Sequence, residues 1–276
     1  MKSWEITPRP ATGDTVRTER DGAIAFVTLN RPKSLNALNF ELADTLGDVM
    51  HALEADSAVR CVVLRGAGGH FMAGGDIDTF AADLDADASE RAAGFRHGIH
   101  AAHAAIIAMR RMPKPVVAAV DGAAAGAGLS FALAADLAIL SDRAYLVGGY
   151  LQLGTTPDCG LTFALPRAVG ARKAMELLML SERIDAQTAL ALGLANRVVP
   201  AADLESETLK IARRLAAGPT LAFGELKRLM RASAHNGLDS QLAAEVEAFG
   251  ACALSEDFKE GVRAFGAKRP PRFEGC

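Results

Sequence analysis

Residues 115–140, PVVAAVDGAAAGAGLSFALAADLAIL, restrict the fold more than any other stretch. The run Val116 to Val120 predicts a buried strand. It breaks at Asp121-Gly122, and small residues follow from Ala123 to Gly128. The spacing then predicts a helix over Leu129 to Ala135 and a second strand over Leu137 to Leu140. Strand, glycine-rich turn, helix and strand therefore follow one another within 26 residues. Such a turn leaves backbone N–H groups free at a helix N-terminus, where the helix dipole favours negative charge. Glycine and alanine let a ligand approach that backbone closely. Phosphate binding does not fit, because there is no GxGxxG and no Lys-Ser/Thr after the glycines. Two uses remain open: an oxyanion hole and, more simply, close helix packing. A membrane span is excluded here, since Asp121 and Asp136 bracket fewer than the roughly 20 apolar residues that a span needs.

The rest of the chain supplies partners for this unit. It has 276 residues, half of them hydrophobic, enough for one large domain or a domain with an appendage. A net charge of −3 and the lack of a basic tract argue against nucleic acid. The first 20 residues are polar and predict a loose start without the apolar core of a signal peptide. Cys61, Cys159, Cys252 and Cys276 form no CxxC pair, which fits a reduced, cytoplasmic setting.

Further strands are expected over Ala23 to Leu29, Val59 to Leu64 and Ala144 to Val147, with a short one at Val198-Val199. Asn39 is placed to cap a helix over Phe40 to Glu54, whose apolar residues repeat at helical spacing. In FMAGGDIDTF, residues 71–80, tandem glycines again enter a helical pattern. A long helix is expected over Ala92 to Arg111. Helices are also expected over Leu161 to Val169 and Arg172 to Leu180, and a short one capped by Asp185. From Ala201 onward the pattern is helical, roughly 202–216, 219–233, 237–254 and 255–267. Alternating strands and helices followed by a helical tail argue an α/β fold.

Five segments, in order, carry a family resemblance: LNRPKSLNALN at 29–39, FMAGGDI at 71–77, AAGAGLSFALAADLAI at 124–139, the run from LGTTPDCG to ANRVV at 153–199, and SEDFKEGVRAFGAKRPPRF at 255–273. Together they resemble the enoyl-CoA hydratase/isomerase, or crotonase, superfamily over nearly the whole chain. The resemblance implies a spiral of ββα units over residues 1–200 and a C-terminal helical trimerisation region over 201–276. It implies an acyl-CoA thioester as substrate, no cofactor beyond the substrate's own coenzyme A, no metal, and a homotrimer or hexamer. Two backbone N–H groups, mapping onto Gly75 and Ala127, would hold the thioester oxygen as an enolate. Losing one such donor would cost about 3 kcal/mol at the transition state. Lys33, Ser34, Leu35 and Ala37, with Ala73, Asp76 and Ile77, would line the nucleotide and pantetheine path. Phe265 and Lys268 are further candidates for a coenzyme A contact.

The resemblance also separates chemistries. The two glutamates that handle water in the family's hydratases map onto Ser130 and Tyr150, and neither is a carboxylate. Tyrosine, with a reference pKa of about 10, is a poor base at neutral pH. Asp158, in TTPDCG, takes their place. The residues alone read it as a helix cap. Relatives that shift double bonds, including ring-type epoxyphenylacetyl-CoA isomerases, carry an aspartate in a PDxG string near the acyl chain. A dehalogenase branch uses one as a nucleophile. Isomerisation with Asp158 as base is thus the favoured expectation, helped by shelter from Leu153, Leu161 and Phe163. Hydration or hydrolytic dehalogenation with His103, and a non-catalytic acyl-CoA binder, are the alternatives. His97, His100 and His103 repeat every three residues, which reads as a polar helix face rather than a metal site. Tyr150 either positions the acyl group or packs, Ser130 fills space, and Asp136 and Cys159 are structural.

Overall fold

The computed structural model describes residues 14–82, 84–85 and 87–276. In chain order the elements are β1 (Val16–Asp21), β2 (Ile24–Leu29), α1 (Phe40–Ala55), β3 (Cys61–Gly66), α2 (Ile77–Ala82), α3 (Ala88–Arg111), β4 (Val116–Val120), β5 (Ala123–Ala125), α4 (Ala127–Ala134) and β6 (Leu137–Ser141). Then follow β7 (Tyr145–Val147), α5 (Leu161–Val169), α6 (Ala171–Leu180), β8 (Ile184–Asp185), α7 (Ala186–Ala191), β9 (Arg197–Val199), α8 (Leu204–Ala216), α9 (Thr220–Ser233), α10 (Leu238–Ala253) and α11 (Glu256–Gly266).

Six strands form one sheet in the order β1-β2-β3-β4-β6-β9, and β5-β7-β8 form a second. Only β1 runs antiparallel in the large sheet, pairing with β2. Helices between parallel strands cover both faces, so β4 is buried along its whole length. Alternate residues serve opposite faces. Val62, Leu64, Val116 and Ala118 pack with Leu42, Leu46 and Met50 of α1 and Ala105 and Met109 of α3. Cys61, Val63, Val117 and Ile139 pack with Leu204, Ala212 and Ala216 of α8. Leu46 is fully buried, and truncating such a leucine to alanine costs about 2–5 kcal/mol.

The small sheet makes the repeat visible. After β3 the chain bridges to β5 at Met72–Ala124, and after β4 it enters β5 directly. Strands β2, β3, β4 and β6 are each followed by a short pairing segment and then a helix. This is the ββα spiral that the resemblance implies.

Caps fix the helices. Asn39 accepts the Leu42 N–H at 2.9 Å. At the other end of α1, Lys114 Nζ donates to the carbonyls of Leu53 (2.8 Å) and Asp56 (2.6 Å). Burial pushes this ammonium group's pKa down, and the carboxylates of Asp56 and Glu54 oppose that. Asp185 caps α7 as expected, accepting from Thr188 N. Asp136 proves structural: it takes Val116 N at 2.8 Å and Lys227 Nζ at 2.6 Å, joining α9 to the start of β6. The last residues fold back, with Arg60 donating to the Phe273 carbonyl and the buried Asp257 accepting from the N–H groups of Glu274 and Gly275.

Two expectations need correction. Of the polar first 20 residues, 1–13 lie outside the described residues, but Val16–Asp21 is a strand. Its side chains are exposed apart from Val16, as an edge strand allows. Ala123–Ala125 is also a strand rather than a plain turn, and α4 begins at Ala127, two residues earlier than the apolar run suggests.

Candidate active site

Two glycine turns meet at the end of the large sheet. Met72 N donates to Ala123 O (3.0 Å), and Ala125 N donates to Met72 O (2.9 Å). These bonds lock the 71–75 segment beside β5. Gly74 has φ +95° and Gly126 has φ +50°, conformations that glycine adopts without strain. A Cβ on Gly126 would stand only 3.5 Å from Gly74 Cα, so the two turns are in contact. A Cβ on Gly128 would stand 2.1 Å from the Met72 carbonyl oxygen. Only glycine lets α4 sit this close.

The predicted donors lie on these turns. Around Gly75, the bridge to Leu38 is made by Gly74 O and Asp76 N, leaving the Gly75 N–H without an acceptor among the described residues. Ala127 is the first residue of α4, where N–H groups lack partners within the helix. Backbone N–H groups of this kind are the donors from which an oxyanion hole is built.

Residues 33–37 run alongside. Leu35 O accepts Ala73 N at 3.0 Å, and Leu38 O accepts Asp76 N. Lys33, Ser34, Leu35 and Ile77 are exposed, and Ala37 and Ala73 are half-buried. Asp76 differs, being 5% exposed. Its carboxylate pairs with Arg31 at 2.6 Å and accepts the N–H groups of Asp78 and Thr79, so it orders the start of α2. Burial pushes the Asp76 pKa up, but Arg31 and those donors outweigh it and hold it below the usual carboxylate range.

The opposite wall is built from side chains. A Cβ on Gly126 would be 3.8 Å from Tyr150 Cε2, which places the ring against the turn. The Tyr150 hydroxyl donates to Asp158 Oδ1 at 2.6 Å. Ser130 Oγ, on α4, lies 3.2 Å from the Tyr150 hydroxyl and 3.2 Å from the Asp158 carbonyl oxygen. Asp158 is therefore not a helix cap: Gly160 occupies the N-cap of α5 and no side chain caps it. The expected shelter is also only partly right. Leu161 is fully buried, but Leu153 and Phe163 are exposed, and Phe163 stacks under Arg167. Asp158 is half-buried.

His97 and His100 are exposed, and half-buried His103 meets the His100 ring edge-on at 6.3 Å. Among the described residues no group of three or more His, Cys, Asp or Glu side chains could hold a metal ion. Burial and the adjacent Asp158 push the Cys159 thiol well above its ordinary pKa, and burial pushes Cys61 up to about 12. Neither is a thiolate at neutral pH. Phe265 is 88% exposed and Lys268 is exposed. Two cavities, of about 740 and 450 Å³, flank the C-terminal helices, and none of the predicted site residues lines them.

Three positioning residues escaped the sequence reading. Arg31 pairs with Asp76. Asn36, fully buried at φ +57°, donates to the carbonyls of Ala67 and His70 and ties residues 31–37 to the 66–70 loop. Its tolerance of the left-handed conformation is the available signal. Phe80 lies over Gly75, where a Cβ would be 2.3 Å from Cζ, and meets Phe95 edge-on at 5.0 Å.

Comparison with known proteins places the chain in a family. The enoyl-CoA hydratase/isomerase family model matches residues 19–276. The chain is 36% identical to the 1,2-epoxyphenylacetyl-CoA isomerase of Escherichia coli, covering 91% of this chain and 95% of that protein. It is 34% identical to the 4-chlorobenzoyl coenzyme A dehalogenase-2 of an Arthrobacter species, covering 92% and 91%. The crystal structure of an enoyl-CoA hydratase from Polaromonas sp. JS666 superposes with a TM-score of 0.87 at 36% identity, covering 94% and 99%. With its ββα spiral, paired glycine turns and match over nearly the full length, the chain belongs to the enoyl-CoA hydratase/isomerase family.

Proposed function

We propose that the protein is an isomerase of acyl-CoA thioesters that shifts a double bond in an enoyl or ring-containing acyl group. Asp158 removes a proton from the acyl chain. The electron pair moves toward the thioester carbonyl, whose oxygen becomes an enolate held by the N–H groups of Gly75 and Ala127. The proton then returns at another carbon, and both the carboxylate and the carbonyl are restored. One observation carries this reading: a carboxylate, Asp158, is tied through Tyr150 to the wall of the glycine turn. A single base beside an oxyanion hole suffices for a proton shift. The two positions that would serve hydration hold Ser130 and Tyr150.

Lys33, Ser34, Leu35, Ala37, Ala73 and Ile77 form the path for the nucleotide and pantetheine, with Asp76 anchoring its floor. The exposed apolar side chains of Leu242, Val246 and Phe249 on α10 and Leu254 beyond it support assembly as a trimer or hexamer. Sedimentation of the purified protein tests that assembly.

Turnover of a panel of 3-enoyl-, 2-enoyl-, arylacetyl- and 4-haloaryl-CoA thioesters tests the reaction. Double-bond migration, followed by ultraviolet absorbance, is the expected result. Water addition to 2-enoyl-CoA or halide release from the haloaryl thioester would replace isomerisation by hydration or dehalogenation. Tight coenzyme A binding with no turnover of any thioester would make the protein a binder.

A further inference from the structure

The Tyr150–Asp158 contact has a consequence beyond naming the base. We propose that Tyr150 is a positioning residue that clamps Asp158 Oδ1, so that Oδ2 alone takes the substrate proton and gives it back. The inference rests on the reading of Asp158 as the base.

The geometry carries it. Tyr150 is 9% exposed, so its hydroxyl has little access to water. It donates to Oδ1 at 2.6 Å, short for a hydrogen bond and typical of a charged acceptor. The adjacent Cys159 thiol is the other hydrogen-bonding neighbour of the carboxylate, but it is a weak donor, so Tyr150 makes the strong bond. Behind the hydroxyl, Ser130 Oγ stands 3.2 Å away, within reach of the carbonyls of Gly126 (3.3 Å) and Asp158 (3.2 Å). Ser130 lies three residues after Ala127 on α4, so the chain from Ser130 through Tyr150 to Asp158 fixes the base relative to one oxyanion donor.

The clamp also assigns the protons. Burial and the neighbouring carboxylate push the ionisation of Tyr150 far above its ordinary range, so the phenol keeps its proton. Oδ1 is thus occupied by a donor that does not transfer. The substrate C–H bond breaks with its proton passing to Oδ2 and its electron pair passing into the enolate. The same proton leaves Oδ2 for the new carbon, and no proton is gained or lost by Tyr150. One oxygen working both steps implies transfer on one face of the acyl chain.

The test compares Tyr150→Phe, Ser130→Ala and Asp158→Asn with wild type, using the panel thioester that turns over fastest. Phenylalanine keeps the ring volume, and melting temperatures check folding. Tyr150→Phe is expected to lower kcat about tenfold with KM within about twofold, because the carboxylate loses its orientation and not its contact with substrate. Ser130→Ala lowers kcat in the same way by less. An activity-independent readout is the tyrosine C–O stretch in infrared difference spectra, which reports the hydrogen bond of the hydroxyl. It shifts in Asp158→Asn relative to wild type, and Tyr150→Phe lacks it. An inactive Asp158→Asn beside a Tyr150→Phe with unchanged kcat would overturn the clamp and leave the base standing. So would an identical tyrosine C–O stretch in wild type and Asp158→Asn. Full turnover by Asp158→Asn, or a wild type inert on every thioester, would remove the base reading and the clamp with it.

Discussion

The two walls of the site are made of different material. One wall is backbone: Gly74-Gly75 and Gly126-Ala127, held in contact by the bonds between Met72 and β5. The other is side chain: Ser130, Tyr150 and Asp158, joined by hydrogen bonds. A backbone wall leaves substitution little freedom, because any Cβ at Gly128 collides with a carbonyl oxygen. The side-chain wall can change identity without disturbing the sheet. Relatives that share the fold bear the names hydratase, isomerase and dehalogenase. The contrast points to a fixed means of binding an oxygen and a variable means of moving a proton.

The contrast can be broken or sharpened by substitution. The largest effect on stability is expected at Asp76, which supports the backbone wall. Asp76→Asn leaves Arg31 without its buried partner and costs about 3 kcal/mol at neutral pH, read as a lower melting temperature. The Asp76 pKa is depressed in the folded protein, so its contribution is fully present above the unfolded carboxylate range and is lost as pH falls through the folded value. The melting difference between wild type and variant therefore shrinks in acid. Next comes Gly128→Ala. Helix α4 must back away from Met72, and displacing the Ala127 N–H by about 1 Å lowers kcat about 100-fold while the sheet persists. Tyr150→Phe, on the side-chain wall, follows with about a tenfold loss. The smallest effect is at Cys159. Its buried, protonated thiol is a weak hydrogen-bond donor to Asp158 and performs no step, so Cys159→Ala changes kcat/KM by about twofold, less than Tyr150→Phe. In wild type, exposed Cys276 is labelled by a thiol reagent well before Cys61 and Cys159.

The backbone wall was also the legible one. Tandem glycines before a helical pattern at 74–77 and small residues at 123–128 carry the turns in their composition. The β-branched runs of β2, β3 and β4 announce themselves for the same reason. VRTERD, in β1, does not: it pairs with β2 at the sheet edge and buries only Val16, so no alternation marks it. AAA, in β5, has low strand propensity and is a strand because Met72 and β7 pair with it. Asp158 was identified through a family pattern, but its hydrogen bond to Tyr150 was not. The two lie eight residues apart, and a 3₁₀ turn at Leu151–Leu153 with Gly154 at φ +69° brings the chain back. Such a return is set by loop geometry that periodicity does not encode. The Arg31–Asp76 pair spans 45 residues and is likewise invisible until the two turns are folded together.

The measurement that tests the account most directly is exchange of acyl protons for deuterium in heavy water. An arylacetyl-CoA or 3-enoyl-CoA thioester is incubated with wild type and with Asp158→Asn, and the mass of the recovered thioester is followed. Enolate formation alone drives this exchange, whatever product the enzyme releases. The account predicts deuterium uptake in wild type and uptake slowed at least about 100-fold in the variant, with coenzyme A binding retained. Equal uptake by both proteins would contradict it, and would place the base elsewhere than Asp158.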